Sequence, residues 1–301
     1  WRDASVREVA RRMIPATVGV AAFQINVVLT DCVAFLVDPQ IVASFDYAVR
    51  LMELPQGVFG ISLATYLLTS LSGLAAEKKL PEFRATLGQG LSYLVVINSL
   101  AAVLLLVLAE PIIRLLFERG AFGLESTRRA AAALQCLAPG LVAFSMVNIL
   151  ARAFYALGDT HTPMKVSVFC LGVNLLLSVL FISDLRQAGL GLANTITSGL
   201  NVWLLLRALR KKLGTLELAE LSRSIKPVAA AMIVAGIFAW GLHLLWDSQL
   251  GHRTLLWRFG AVFVPAGLAA AIYWAVLWTD KLPAALEVAG LIQKRLRRAR
   301  E

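Results

Sequence analysis

Runs of apolar residues, separated by short charged segments, make up most of the chain. An α-helix needs roughly 20 apolar residues to cross the hydrocarbon core of a bilayer. One run, Met13 to Val37, is interrupted by a single charged residue, Asp31. The remaining runs are free of Lys, Arg, Asp and Glu and cover residues 54–76, 85–109, 130–151, 166–183, 187–206, 227–246 and 259–279. The pattern therefore predicts an all-α integral membrane protein with eight transmembrane helices.

Composition and charge agree with a membrane location and indicate an orientation. Of 301 residues, 58% are hydrophobic and 16% are charged, and the mean hydropathy is +0.73. The net charge is +10, but the basic residues lie between the apolar runs and at the chain ends, which argues against a nucleic-acid partner. With both chain ends in the cytoplasm, 21 of the 29 Lys and Arg residues are cytoplasmic, as the positive-inside rule requires. The basic tail Lys294–Arg300 would attract anionic membrane lipids or serve as an orientation signal alone.

Residues typical of catalytic or metal centres are scattered. Cys32, Cys136 and Cys170 all lie in apolar runs, where we interpret them as small hydrophobic residues. The three histidines have no Cys or carboxylate at ligand spacing. The sequence has no P-loop, G-x-S-x-G or H-E-x-x-H motif. We therefore predict that the chain is not an enzyme.

The segment from Ala151 to Pro163 predicts a tight cytoplasmic turn between two helices. Gly158 suits the left-handed position that ends a helix. Asp159 or Thr162 is suited to cap the next helix, and Pro163 fits its first turn.

Two other connections divide the chain. Residues 110–123 alternate apolar and charged positions at helical spacing, which predicts a short amphipathic helix at the outer interface followed by a turn. The charged stretch from Arg207 to Lys226 separates the last two apolar runs from the others. We place a boundary near residue 214, so that residues 1–214 form one unit and residues 215–301 form two additional transmembrane helices with a basic tail.

Polar side chains recur at helical spacing on three predicted spans, and lipid cannot satisfy them. These stripes comprise Thr17, Gln24 and Asp31; Ser167, Asn174 and Ser178; and Asn194, Thr197, Ser198 and Asn201. We expect them to face one another or a water-filled cavity, with simple hydrogen bonding between helices as the alternative. Gly191, Thr195 and Gly199 are spaced by four residues, which favours close helix packing over a binding site.

A group of charges interrupts the apolar pattern before the second span. Asp46, Arg50 and Glu53 share one helix face, and Pro55 follows them. A charge at mid-membrane costs on the order of 2.5–3.5 kcal/mol, so these side chains belong beside protein or water. One interpretation is a charged group near the outer interface that bends the helix. The other is an arginine that faces an aqueous cavity and binds an anionic group, because the guanidinium donates two hydrogen bonds to a phosphate at once.

Three sequence blocks resemble the MurJ (MviN) family of lipid II flippases, within the multidrug/oligosaccharidyl-lipid/polysaccharide exporter superfamily. The blocks are RLMELPQGVFG from Arg50, LAEPIIRLLFERGAF from Leu108 and ARAFYALGDTHTP from Ala151, and Pro15 and Gln24-Ile-Asn26 fit the same family. The resemblance implies a fold of two six-helix lobes around a central cavity plus two extra helices. The chain resembles the carboxyl-terminal half of that fold, namely the second six-helix lobe with the two extra helices. Because the chain begins with Trp1, we expect the amino-terminal lobe to be encoded upstream or as a separate partner chain.

The same resemblance implies a function and a set of site residues. Family members move lipid II, the undecaprenyl-pyrophosphate-linked peptidoglycan precursor, across the bacterial inner membrane by alternating access. The match makes Arg50 the arginine that contacts the pyrophosphate or head group, with Glu53 as its partner and Asp46 and Gln24 nearby in the substrate site. The apolar walls of the last two spans would guide the polyprenyl tail. Many members have Asp immediately before the arginine, whereas this chain has Val49 there.

Sodium is the one cofactor that the resemblance suggests. Some family members bind sodium through carboxylate, Asn and Thr side chains, and the plausible counterparts here are Asp31, Asn174 and Thr195. Ser178 stands where a second acid would strengthen such a site.

Other functions compete with the flippase. An exporter of another polyprenyl-linked glycan would keep the cavity and change the sugar contacts. A membrane-embedded transferase would need catalytic carboxylates on extended outer loops, and the predicted outer loops are short. A non-transporting binding subunit that pairs with a separate lobe is a further alternative.

Overall fold

The computed structural model describes residues 24–249 and 254–280, together with residues 17, 21, 282 and 285. The predictions for Arg2–Arg12, Pro15, most of the first half of the first span, His252 and the basic tail fall outside these residues. Every regular element within the described ranges is helical.

The described part of the chain starts with three consecutive helices, with a break at Asp38 and a π-helical segment between the second and the third. Helix α1 covers Gln24–Val37, and Asp38 caps α2 by accepting a hydrogen bond from the Gln40 backbone N–H at 2.9 Å. Helix α2 covers Pro39–Pro55 and continues through a π-helical segment, Gln56–Ile61, into α3, Ser62–Ala76. The sequence placed the start of this span at residue 54, but the helix begins at residue 39 and includes the charged group. Apolar residues at helical spacing, such as Ile41, Phe45 and Ala48, bury one face of α2, so the helix tolerates charges on the other face.

The next segment contains a break that the hydrophobic pattern did not predict. Helix α4 covers Leu80–Val107, α5 covers Ala109–Phe117, α6 covers Leu124–Leu137 and α7 covers Gly140–Ala156. We predicted one span over 130–151, but α6 and α7 meet at a bend of 51°. Pro139 explains the bend, because proline has no N–H for the helical hydrogen-bond pattern and its ring clashes with the carbonyl group four residues earlier.

Helix α8, His161–Leu213, is a hairpin of two antiparallel halves. A straight helix of 53 residues would be about 80 Å long. Arg186 interrupts it with φ of 50° and ψ of −129°. A Cβ atom on Gly189 would lie 2.6 Å from the carbonyl oxygen of Phe181, and residues eight apart in a continuous helix are about 12 Å apart. The chain therefore reverses at Arg186, between the two runs that the sequence predicted.

Helices α9, Ala219–Gln249, and α10, Leu255–Thr279, pack against each other and against α4. The buried Tyr273 hydroxyl on α10 donates to the Val96 carbonyl on α4 at 2.7 Å. The connection after α8 is held by Arg84, whose Nη1 donates to the Thr215 hydroxyl at 2.9 Å and to its carbonyl at 3.1 Å. The predicted boundary near residue 214 coincides with this connection, where Gly214 has φ of 78°. The division into two units stays a prediction.

Polar contacts define two opposite ends of the helical assembly. At the Asp38 end, the Asp38 carboxylate accepts from Arg129 on α6 and from Arg186 at the α8 turn, each at 3.3 Å. At the same end Arg258 on α10 pairs with Glu118 after α5 at 3.1 Å. At the Asp159 end, the connection between α7 and α8 meets the far end of α8.

The Asp159 end forms as the sequence predicted. Gly158 adopts φ of 73°, and Asp159 accepts from the Thr162 N–H at 3.0 Å, which caps α8. The Lys212 ammonium, at the end of α8, donates to the other Asp159 oxygen at 2.7 Å. The two ends of α8 therefore meet here.

The long helices match a membrane protein in length and composition. Five helices are long and apolar enough to cross a membrane, or six if the bent pair α6–α7 is one span. This number counts α8 once and leaves out α1, whose described part is short. The structure therefore confirms an all-helical membrane fold, whereas the predicted number of eight spans is not confirmed.

Candidate functional site

A cavity of about 670 Å³ lies between α1, α2, α7 and both halves of α8. Its volume falls in the range of pockets that bind small molecules, about 300–1,000 Å³. Three carboxylates, Asp31, Asp46 and Glu53, line it. The neutral polar residues of its wall are Asn26, Thr30, Gln56, Asn148, Ser167, Asn174, Asn194, Thr197, Ser198 and Asn201.

The predicted polar stripes meet in this cavity. On α1, Asn26 donates through Nδ2 to Asn174 Oδ1 on the first half of α8 at 3.1 Å. The stripe on the second half of α8 faces the same space, where Asn194 also donates to the Leu190 carbonyl at 3.0 Å. The expected cavity therefore holds Asp31, Ser167, Asn174 and all four stripe residues on the second half of α8. Thr17, Gln24 and Ser178 do not line it.

Close packing holds the second half of α8 against α6. A Cβ atom on Gly191 would lie 2.7 Å from the Ala133 carbonyl oxygen, and the Thr195 hydroxyl donates to the Cys136 carbonyl at 2.7 Å. These contacts confirm the packing role predicted for Gly191 and Thr195. Gly199 has no atom within 4 Å of its Cβ position and does not take part in the contact.

Several buried oxygen atoms of the wall have no hydrogen-bond partner within the described residues. They are Asn26 Oδ1, Thr30 Oγ1, Thr197 Oγ1 and Asn201 Oδ1. A buried polar atom without a partner costs about 1–3 kcal/mol. These atoms are therefore suited to water or a bound ligand in the cavity.

The described residues of the wall carry only negative charges. Among those residues there is no Lys, Arg or His. Arg50 follows the lining residue Val49 on α2 and is exposed, but it is not part of the wall. In the described part of the chain, no ion pair within 4 Å joins Arg50 to Asp46 or Glu53. The structure thus brings Asp46 and Glu53 to the cavity and leaves Arg50 beside it.

The residues suggested for sodium are only partly brought together. Asp31 and Asn174 line the cavity, whereas Thr195 lies outside its wall with its hydroxyl on the Cys136 carbonyl. The described residues contain no group of three or more His, Cys, Asp or Glu suited to a metal ion. Carboxylate, amide and hydroxyl oxygens are nevertheless the ligands of hard cations, and Asp31 lies among them. Ser178, noted above as a weak point, is buried, and its hydroxyl has no partner within the same residues.

Two polar residues of α1, Gln24 and Thr30, lie where the sequence did not predict them. Gln24 is exposed and lies outside the cavity wall, so its predicted contact with substrate stays a prediction. Thr30 lines the cavity but was not predicted. Its spacing of four residues from Asn26 could have revealed it, because residues four apart share a helix face. Asn148 on α7 also lines the cavity and was not predicted, although Ser145 stands three residues before it in the same run.

Comparison with known sequences identifies relatives of one kind. The family model described as "Lipid II flippase MurJ" matches residues 1–260. A probable lipid II flippase MurJ of Vibrio cholerae serotype O1 is 30% identical over 281 residues, which cover 92% of this chain and 53% of that protein. A lipid II flippase MurJ of Burkholderia cenocepacia is 31% identical over 280 residues, covering 92% and 54%. The chain spans about half the length of the curated relatives it matches.

Solved structures share the fold. A lipid II flippase MurJ in an inward closed conformation superposes with a TM-score of 0.71 at 21% identity, covering 89% of this chain and 53% of that chain. A MATE transporter in the bent conformation gives a TM-score of 0.56 at 16% identity, covering 96% and 68%. The fold is therefore that of these transporters. Together with the family match over residues 1–260, this establishes that the chain belongs to the MurJ lipid II flippase family.

Proposed function

We propose that this chain is the carboxyl-terminal lobe, with two additional helices, of a transporter that moves lipid II from the cytoplasmic to the outer leaflet by alternating access. The observation that carries the proposal is the polar cavity enclosed by apolar helices in a chain of the MurJ family. Membership of a flippase family also confirms the prediction that the chain is not an enzyme. The cargo, the missing lobe and the location in the bacterial inner membrane are part of the proposal.

The proposed topology has eight spans with both chain ends in the cytoplasm. Its support is the repeated passage of the chain between the Asp38 end and the Asp159 end. The α8 hairpin contributes two passages, the bent pair α6–α7 contributes one, and α1 runs beside the first half of α8. The Asp159 end would be cytoplasmic, because the basic residues of the described helices concentrate there. Accessibility of single cysteines to a membrane-impermeant thiol reagent would test this, with residues at the Asp38 end labelled from outside.

Arg50 and the cavity carboxylates would have different roles in cargo binding. Arg50, exposed beside the cavity, is suited to the pyrophosphate because a guanidinium forms paired, charge-assisted hydrogen bonds with phosphate oxygens. The carboxylates and amides of the wall are better suited to hydrogen-bond donors of the sugar and peptide. Glu53 would be the residue shared by both regions, since it lines the cavity one turn after Arg50.

We also propose that the cavity holds a sodium ion near Asp31 and Asn174. A bound cation would complete the coordination of the unpartnered oxygens of Thr30 and Thr197. Sodium should then raise the melting temperature of the purified full-length gene product more than potassium does, and Asp31→Asn should abolish the difference. Equal melting temperatures in sodium and potassium would contradict the sodium site. This test does not depend on a transport assay.

The proposed cargo is tested by reconstitution. The full-length gene product in liposomes should move lipid II to the outer leaflet faster than a polyprenyl-linked glycan with a different head group. Residues 1–301 alone should not support movement, because the cavity would lack the opposing lobe. Preference for the other glycan would favour the alternative exporter, and activity of residues 1–301 alone would contradict the role of a single lobe.

A further inference from the structure

The π-helical segment Gln56–Ile61 lies directly after the charged part of α2. A π-helix has hydrogen bonds from residue i to i+5, and short π segments within α-helices often occur at functional sites. They also bend helices. Pro55 precedes this segment and provides no N–H, so the regular pattern of helical hydrogen bonds is already interrupted where the segment starts.

Side chains from outside the segment bind its carbonyl groups. The Ile61 carbonyl oxygen accepts a hydrogen bond from Arg152 Nη1 on α7 at 3.0 Å. The same oxygen accepts from the Thr65 hydroxyl on α3 at 2.8 Å. Arg152 belongs to the ARAFYALGDTHTP block and lies outside the cavity wall.

A second contact joins the segment to α7. Gly60 is buried, and a Cβ atom there would lie 2.9 Å from the Ser145 hydroxyl oxygen. Gly57, in the same segment, has no atom within 4 Å of its Cβ position. Ser145 and Arg152 are seven residues apart and so share one face of α7. That face therefore contacts the segment at two points.

The segment determines how the cavity wall is oriented. Gln56 and Ile61, its first and last residues, line the cavity, as does Glu53 one turn earlier. A shift of one residue in helical register rotates the side chains that follow by about 100°. A loss of the π turn would therefore turn the charged face of α2 relative to α3.

We propose that Arg152 is a positioning residue that holds the π turn through the Ile61 carbonyl and thereby fixes the orientation of α2, with Asp46, Arg50 and Glu53, relative to α3. The importance of that orientation for transport rests on the proposed function. The contact of Arg152 with the segment is independent of that function. Arg152 does not line the cavity, and it acts through the backbone of the segment.

The direct test measures the angle between α2 and α3 in the purified full-length gene product. Spin labels at the exposed positions Ala43 and Tyr66, in a cysteine-free background, report their separation by pulsed electron paramagnetic resonance. Arg152→Ala should shift or broaden the distance distribution, and Arg152→Lys should retain the wild-type distribution because one donor suffices for the observed bond. Arg207→Ala, which removes an arginine that stacks on the Trp203 ring, is the matched control and should change nothing. Identical distributions for wild type and Arg152→Ala would overturn the proposal.

A glycine pair provides an independent test if Arg152→Ala does not fold. Gly60→Ala should change the same distance distribution, because its methyl group meets Ser145, whereas Gly57→Ala should not. Adding Ser145→Gly to Gly60→Ala should restore the wild-type distribution. Equal effects of the two glycine variants would contradict the proposed contact. These readouts need no lipid II, so they separate failure of this proposal from failure of the proposed cargo.

Discussion

At the scale of single residues, Asp159 connects both ends of the α8 hairpin. Partial burial alone would raise the pKa of this carboxyl group. The hydrogen bond from Lys212 and those from the Thr162 N–H and hydroxyl outweigh burial and lower the pKa to about 2. The ordinary value for an unfolded Asp is about 3.9, so folding favours the ionised form.

This lowered pKa predicts the pH dependence of stability. The stabilisation by Asp159 should be fully present above pH about 4 and should be lost as the pH falls through about 2, because the unfolded chain binds the proton first. The melting temperature of the full-length gene product, measured across this range in detergent, should converge with that of Asp159→Asn at low pH. If the difference in melting temperature between wild type and Asp159→Asn stayed constant from about pH 6 to about pH 2, this would contradict the lowered pKa of Asp159.

Residue-scale signals in the sequence were reliable where the chemistry is local. Gly158 was predicted correctly, and Asp159 was one of the two candidate caps, because a left-handed glycine and a capping carboxylate need only their neighbours along the chain. Arg50 and Gln24 were harder, because the helical face of a residue does not reveal which partners surround it. The sequence predicted the carboxylates of the cavity wall but not that Arg50 lies beside that wall.

At the scale of helices, small residues decide how closely α8 approaches α6. Gly191→Ala should lower the free energy of unfolding by about 1–3 kcal/mol, the usual cost of overpacking, because its methyl group meets the Ala133 backbone. Gly199→Ala is the control and should be neutral or stabilising by up to about 1 kcal/mol, since its site is open and alanine favours helix. Denaturant or thermal unfolding in detergent measures both. A destabilising Gly199→Ala together with a neutral Gly191→Ala would reverse the expected order.

Helix existence was predictable from apolar runs, but breaks within helices were not. The run over 130–151 contains Pro139. The average hydropathy of the run does not show that this proline interrupts the helical hydrogen bonds. The start of α2 was missed for the opposite reason, because charged residues at Asp46, Arg50 and Glu53 ended the apolar run while the helix continued. Burial of one α2 face maintains the helix there, and burial is a property of the tertiary structure.

At the scale of the whole molecule, α9 and α10 share a buried core with the other helices. Tyr273, Ala235 and Ala239 belong to the same apolar cluster as Leu91 and Leu94 on α4. The sequence separated residues 215–301 as a unit because of charge, and it could not reveal this packing. The transporter fold was predictable through the three sequence blocks, and not through hydropathy.

The α4–α10 contact gives a prediction at this scale. Tyr273→Phe removes the hydroxyl that donates to Val96 and should lower the free energy of unfolding by about 0.5–1.5 kcal/mol. Tyr66→Phe, at a residue that is 71% exposed, is the control and should have little effect. Equal stability of Tyr273→Phe and wild type would indicate that the hydroxyl adds nothing to the attachment of α10.

We propose that Arg50 serves lipid II transport by the complete protein. The most direct measurement is growth of a flippase-depleted bacterium that expresses the full-length gene with Arg50 substituted, at wild-type protein level. Arg50→Ala should abolish growth, Arg50→Lys should restore it partly at best because the paired donors are lost, and Arg207→Ala should support it. Wild-type growth of the Arg50→Ala strain would contradict the account.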